Sequence, residues 1–491
     1  MRYYPTYKVV TNLRANETYV LYQCGTLPPS KASLPAGAKL LEIPLASVAV
    51  DDTTALGFLR YLGVEDRVAY ASAWSVAPCM QRLTASEEDG GCGAVAADSS
   101  NATLVAKQAP SVDAVFGFAA DAKNPESVAF TATRDPGAVR RAEWIKFAAP
   151  FFNKEVEANR LFDAVSGGYD ATRDAARAQA PATGPLPRVA WLSKSNVSKA
   201  WGYDFDGPAY GVFFTPYKAQ LIADAGAQNV AASNTSVIAR FPDVASADPT
   251  GNGNVVLRAD GANREAADAA LQSLLKDADV VIDETFYQDE ATGKNLAAPT
   301  LAMFRREFGL ESPEHDDLKF LQPAGGGDSR VYTLGGTQGA SGGSDWFETA
   351  VVRPDLVLGE LARAFNPAFV APEKNETEAN SAAGGPWLYR LGDGASQPRK
   401  LTAAQCSAKN EACGAAPRAV CPTAYRACAG ESEADSDGWV HADPADRCAP
   451  PSCPSKALDD PLKAGASGVR SGVTVAVGVA AAAVAAVVAA A

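Results

Sequence analysis

The chain has 491 residues, of which 47% are apolar and 21% charged, and its formal charge is −13. That composition supports a sizeable buried core and leaves room for two to four domains. The acidic balance, with no dense Lys/Arg cluster, argues against nucleic acid or an anionic membrane surface as a partner.

Residues 1–134 read as an N-terminal α/β lobe. Tyr7–Val10, Tyr19–Tyr22, Lys39–Ile43 and Ser47–Val50 are short runs rich in Val, Ile and Tyr, the signature of strands. Asp51-Asp-Thr-Thr54 then offers an N-cap, Leu56, Leu59 and Leu62 recur at helical spacing, and Gly63 closes the helix. Val68–Tyr70 resumes a strand, and strand–helix–strand at this spacing predicts a parallel sheet.

Residues 135–178 read as a connector helix. Trp144, Phe147, Phe151, Ala158, Phe162, Val165 and Tyr169 follow helical periods, while Ile145, Phe152 and Val156 form a second stripe. Pro150 should kink this helix or mark its start. The Pro-rich stretch 180–187 is a linker, and residues 185–392 read as a second α/β lobe. Its expected elements are strands at 188–192, 230–232, 237–238, 279–283 and 330–334, and helices at 217–226, 265–277 and 354–363. The fold class is therefore α/β, with two Rossmann-like lobes joined by a long helix and a Cys-rich C-terminal tail.

Residues 400–456 form the Cys-rich module: Cys406, Cys413, Cys421, Cys428, Cys448 and Cys453 crowd a segment poor in apolar residues and read as up to three disulfides. Wide spacing without a CxxC pair speaks against zinc. Cys79 and Cys92 flank a polar loop and could pair, leaving Cys24 as a buried thiol. Asn16, Asn101, Asn196, Asn234 and Asn375 open N-glycosylation triplets, which favour a secretory route. Residues 464–491 read as an anchor signal. Ala464, Gly465, Ala466, Ser467 and Gly468 offer small residues for lipid (GPI) attachment, a short spacer follows, and the last twenty residues are uncharged and nearly all Ala and Val. A retained transmembrane helix and a functionless Ala tail are the alternatives. The first ten residues lack an apolar signal core, so the expectation is that a secretory signal precedes this sequence.

Catalytic motifs are scarce. His315 and His441 are the two histidines, and His315, flanked by Glu314, Asp316 and Asp317, reads as a solvated surface residue. Gly339-Ala-Ser-Gly-Gly343 matches the nucleophile pattern Gly-x-Ser-x-Gly, but it lies inside a longer Gly-rich run that reads as a flexible rim loop. No cofactor motif is present, and no enzyme is expected.

Several segments carry a family resemblance, in order and over about residues 4–392. They include Tyr19–Thr26, Pro44–Val68, Ala142–Glu155, Tyr217–Gly226, Asp277–Val280, Asp345–Glu348, Val352–Leu356 and Pro386–Arg390. The chain resembles the helix-linked (class III) periplasmic substrate-binding proteins, which capture iron–siderophores, haem and cobalamin. The Cys-rich tail and anchor signal depart from that bacterial pattern and suggest a eukaryotic surface version, such as an algal one; the loops at 80–110, 240–262 and 335–343 are expanded. The resemblance implies an inter-lobe cleft holding a metal chelate, small lobe motion, and a membrane transporter or reductase as partner.

Candidate ligand-binding residues are Tyr22, Thr53 and Thr54 in the first lobe. In the second they are Trp191, Tyr210, Phe214, Tyr217, Glu284, Tyr287, Asp345, Trp346 and Glu348. Aromatics offer flat contact area to a planar chelate, and carboxylates with tyrosines suit Fe(III). The same residues could be helix caps, core aromatics and helix-start acids. Two further readings stay open: a surface interaction or adhesion module on the same fold without a small ligand, and an enzyme using cleft carboxylates.

Overall fold

The computed structural model describes residues 1–30, 34–89, 91–180, 184–288, 296, 298–322, 329–372, 385–392 and 397–406. In the first lobe, β1 (Arg2–Tyr3), β2 (Tyr7–Asn12), β3 (Glu17–Gln23) and β4 (Lys39–Ile43) form a four-stranded sheet in that order. A second, wholly parallel sheet contains β5 (Val48–Val50), β6 (Val68–Ala71), β7 (Ala114–Gly117) and β8 (Ser127–Ala129), in the order β6-β5-β7-β8.

Helix α1 (Thr53–Tyr61) links β5 to β6, the expected strand–helix–strand unit. The Asp52 carboxylate accepts from Thr54 N at its start, and Gly63, at φ +69°, takes the left-handed turn beyond its end. Two short helices, α2 (Pro78–Thr84) and α3 (Ala102–Gln108), follow β6. The core between the elements is aromatic, with Phe116, Phe130, Phe147 and Phe151 in mutual ring contact.

The connector is not the continuous helix expected from residue 135. It comprises α4 (Ala138–Ala142), α5 (Ile145–Ala148), a 3-10 turn at Ala149–Phe152 and α6 (Glu155–Ala178). Pro150 cannot donate a helical hydrogen bond, and Asn153 adopts a left-handed conformation at φ 54°, so the chain breaks and restarts at Glu155. At 24 residues α6 is about 36 Å long. Its Ala158 lies in the first lobe's core and its Tyr169 and Ala176 in the second's; Val156, expected on an inner face, is exposed.

The second lobe is built on one eight-stranded mixed sheet. It contains β9 (Arg188–Val197), β10 (Gly207–Val212), β11 (Gln228–Asn229), β12 (Ala245–Ala247), β13 (Val255–Arg258), β14 (Val280–Asp283), β15 (Val331–Thr333) and, beyond β16 (Thr337–Gln338), β17 (Tyr389–Arg390). The order is β12-β13-β10-β9-β14-β15-β17, with β11 on β9, and β14 runs parallel to both β9 and β15. β16 pairs with β18 (Arg399–Lys400). Helices α7 (Pro216–Asp224), α8 (Asn234–Arg240), α9 (Arg264–Leu275), α10 (Leu301–Glu307) and α11 (Pro354–Phe365) accompany the sheet.

Two expected strands are not there. Val237 and Ile238 lie in α8, because Ser233 and Ser236 form a reciprocal capping box that starts a helix across them. The strand expected at 230–232 is shifted back to Gln228–Asn229. Among the described residues no strand of one lobe pairs with a strand of the other.

Candidate functional site

The carboxyl ends of both parallel arrangements point to one junction. In the first lobe, β5 runs into the start of α1, where Thr53 Oγ1 and Thr54 Oγ1 donate to the carbonyl of Phe347 at 3.4 and 3.0 Å. Next to it the Glu348 carboxylate, fully buried, accepts from the backbone N–H groups of Val76 (2.6 Å) and Ala77 (2.9 Å). Gln81 Oε1 accepts from Ala340 N at 2.9 Å. The lobes approach so closely here that a Cβ on Gly57 would lie 1.8 Å from the Glu348 carbonyl oxygen, and one on Gly343 2.1 Å from that of Trp74. The run 335–343, expected as a flexible rim loop, is therefore part of an inter-lobe clasp, and its glycines permit backbone contact.

Beside the clasp lies a small hollow, about 50 Å³ in volume and open to solvent. It sits where β14 and β15 end and is lined by Asp283, Glu284, Thr285, Phe286, Tyr287, Leu296, Pro299, Thr333, Leu334, Gly335, Gln338, Gly342, Ser344 and Phe347. Its floor is acidic but internally bonded. Asp283 accepts from Thr285 N, Thr285 Oγ1 and the Tyr287 hydroxyl, and burial pushes its carboxyl up to about 6. Glu284 accepts from Trp191 Nε1 (2.7 Å) and Lys218 Nζ (2.9 Å). Burial drives the Lys218 ammonium pKa down, against the opposing pull of Glu284. Phe286 and Phe347 stack at 6.2 Å and 25° on the rim. Ser344 Oγ donates to Leu334 O. Among the described residues, Thr333 Oγ1 and Gln338 Oε1, both buried, have no hydrogen-bond partner.

Of the residues expected to bind a ligand, Glu284 and Tyr287 line this hollow, and Thr53 and Thr54 reach it through the Phe347 carbonyl. Trp191 and Trp346 lie in contact at 5.8 Å in the core, and Tyr217 is buried under the Arg141 guanidinium at 3.7 Å. Asp345 Oδ2 accepts from Thr349 Oγ1 and Gly385 N, and burial raises its pKa. Burial likewise pushes the Glu348 carboxyl up to about 8.

Tyr22, Tyr210 and Phe214 are not brought to the hollow. Tyr22 stands on β3, donating to Glu42, with its phenol pushed up to about 12 chiefly by burial. Tyr210 is fully buried and donates to Asp268; Phe214 packs on the second lobe's core. Phe286, which follows the same strand as Glu284 and Tyr287, also lines the hollow; the residues missed are Thr333, Gln338, Ser344 and Phe347. The rule that singled out Glu284, namely the residues just after a parallel strand, would have found Thr333 too.

Neither a family model nor a curated protein matches the chain. Solved structures do match. A periplasmic haem-binding protein from Pseudomonas aeruginosa is 13% identical, covers 71% of this chain and 98% of its own, and has a TM-score of 0.39. An Fe3+-hydroxamate transport system protein from Saccharomonospora viridis is 14% identical, with coverages of 66% and 94% and a TM-score of 0.39. The siderophore-binding protein BauB, bound to acinetobactin and ferric iron, is 12% identical, with coverages of 73% and 99% and a TM-score of 0.43.

The disulfide arrangement differs from the expected pairing. Cys79 is bonded to Cys406, not to Cys92; Cys92 is itself disulfide-bonded, and Cys24 is a buried thiol in no disulfide. The Cys79–Cys406 bond ties the second lobe's tail to α2 of the first. His315, expected on the surface, is buried, because the 3-10 turn Pro313–His315 folds in beside core residues Leu310, Leu318 and Phe320. Asn16, Asn101 and Asn196 are exposed and Asn234 is half-buried. His441, Asn375, Cys413, Cys421, Cys428, Cys448, Cys453, the attachment region Ala464–Gly468 and the terminal apolar run lie outside the described residues. Among the described residues no helix is long and apolar enough to cross a membrane.

Proposed function

We propose that the protein is a non-enzymatic binding protein that captures an iron–siderophore or related metal chelate at the junction of its lobes, outside the cell, for uptake. One observation carries this reading. The parallel strands β14 and β15 end at the hollow, whose lining comes wholly from the second lobe rather than from both sides of an inter-lobe cleft, and the first lobe meets it where Thr53 and Thr54, after β5, donate to the Phe347 carbonyl; carboxyl ends of parallel strands are where α/β sheets bind ligands. The hollow there offers stacked phenylalanines to a planar ligand.

The Cys79–Cys406 bond and the exposed sequon asparagines favour an oxidising, secretory compartment. A C-terminal lipid anchor and a transporter or reductase that receives the chelate complete the proposal. Titration of the purified protein with ferric siderophores, haem and cobalamin tests it. Micromolar binding of at least one is expected; no binding to any of them removes the reading.

A second reading has its own support. The Glu284 and Glu348 carboxylates are committed to internal bonds, and the lobes are clasped by Glu348 and by Cys79–Cys406. A body closed in this way suits a surface interaction module, and failure of the titration would favour it.

A further inference from the structure

From the two unpartnered polar atoms in residues on its wall, we infer that the hollow beside β14 and β15 selects a planar group that carries an N–H or O–H donor and no negative charge, with Thr333 and Gln338 as its specificity-determining residues. This rests on the hollow being the ligand site, as proposed above, and goes further by naming what enters it.

Thr333 ends β15 at 5% exposure and Gln338 lies in β16 at 7%. Thr333 Oγ1 and Gln338 Oε1 are buried with no partner among the described residues, and both residues line the hollow. Buried polar atoms are nearly always hydrogen-bonded, so two orphans on one concave wall mark where another molecule's polar group sits. Both side chains flank Gly335, which leaves them room: a Cβ there would stand 2.5 Å from Gln338 Nε2 and 3.5 Å from Thr333 Oγ1. A hydroxyl and a carboxamide carry no charge, and together they accept a donated proton and can return one.

The other walls decide against negative charge. The floor carboxylates Asp283 and Glu284 face any anion, and no Lys or Arg lines the hollow among the described residues. Lys218, behind the floor, is paired with Glu284 and 1% exposed. The rings of Phe286 and Phe347 favour a flat partner. A neutral aromatic amide or phenol meets all three conditions; a carboxylate-bearing ring does not.

The test uses three probes of one shape on the full chain: benzamide, benzoate and toluene, titrated by ligand-observed NMR. Benzamide should bind at least tenfold tighter than benzoate. The isosteric double variant Thr333→Val/Gln338→Met should weaken benzamide about tenfold and leave toluene unchanged. Gln338→Met alone, read the same way, serves if the double variant does not fold. Equal binding of benzoate and benzamide, an unchanged benzamide affinity in the variants, or no binding of any probe overturns the inference. The two proposals fail separately. Chelate binding with a failed benzamide test removes only the donor selection. A passed benzamide test without chelate binding removes only the chelate.

Discussion

Lys218 Nζ lies 2.9 Å from Glu284 Oε2, and both side chains are 1% exposed. The ammonium also rests 3.5 Å from the Phe213 ring centroid, and the second carboxylate oxygen holds Trp191 Nε1. This pair is the floor beneath the hollow. Removing one partner leaves a buried charge with little compensation, so Glu284→Gln and Lys218→Met should each cost about 3–5 kcal/mol in denaturant unfolding. The double variant Lys218→Met/Glu284→Leu should fall much closer to the parent, because no charge is then stranded. A double variant as unstable as the sum of the singles would remove the pairing argument.

The junction should also make stability fall as pH rises. Burial holds Glu348 at about 8 against an ordinary 4.5, Asp52 at about 7 and Asp283 at about 6 against 3.8. Each group keeps its proton in the folded protein at pH values where the unfolded chain has released it. The stability this gives is complete below the unfolded pKa and is lost as pH climbs to the folded one, at about 1.4 kcal/mol per pH unit for each group. The protein should therefore be more stable at pH 5 than at pH 8. Glu348→Gln should flatten the upper end of that decline, between about 7 and 8, where Glu348 alone of the three still titrates. A flat profile in the parent protein overturns the account.

Gly57 tests the closeness of the lobes. It lies inside α1, where alanine would normally gain about 1 kcal/mol of helix propensity. Against that, its Cβ would sit 1.8 Å from the backbone oxygen of Glu348, which no side-chain rotation can relieve. Overpacking of this kind costs about 1–3 kcal/mol and more where backbone must move, so the steric effect wins. Gly57→Ala should lower the melting temperature and, by small-angle scattering, expand the molecule. A stabilised variant would show that the lobes do not meet there.

These residues also show what the sequence could and could not tell. Local rules were enough for α1, whose Asp52 cap and Gly63 terminator lie within a dozen residues, and for β14, a buried apolar run. They failed where a distant partner decides. Glu348 reads as a ligand acid, because nothing local reveals that it accepts from backbone N–H groups more than 270 residues earlier in the chain. The glycines at 335–343 read as flexibility, although Gly343 is there for close approach. Val237 and Ile238 read as a strand because their β-branched side chains favour one, but the serine capping box overrides that preference.

The tail is the second tie between the lobes, and it is covalent. β18 pairs with β16 of the second lobe, Gln81 Nε2 donates to Leu401 O at 3.2 Å, and Cys406 is bonded to Cys79 at the start of α2. The bond closes a loop spanning 327 positions, long enough to place its effect toward the upper end of the 2–5 kcal/mol that such cross-links contribute. Cys79→Ala/Cys406→Ala should therefore lower the melting temperature and open residues 397–406 to protease, with little further effect of reductant at this site. Because Glu348 and the Thr53 and Thr54 hydroxyls hold the junction independently, the hollow should persist and benzamide affinity should change little. A loss of benzamide binding in this variant would mean that the disulfide, not the polar clasp, shapes the hollow.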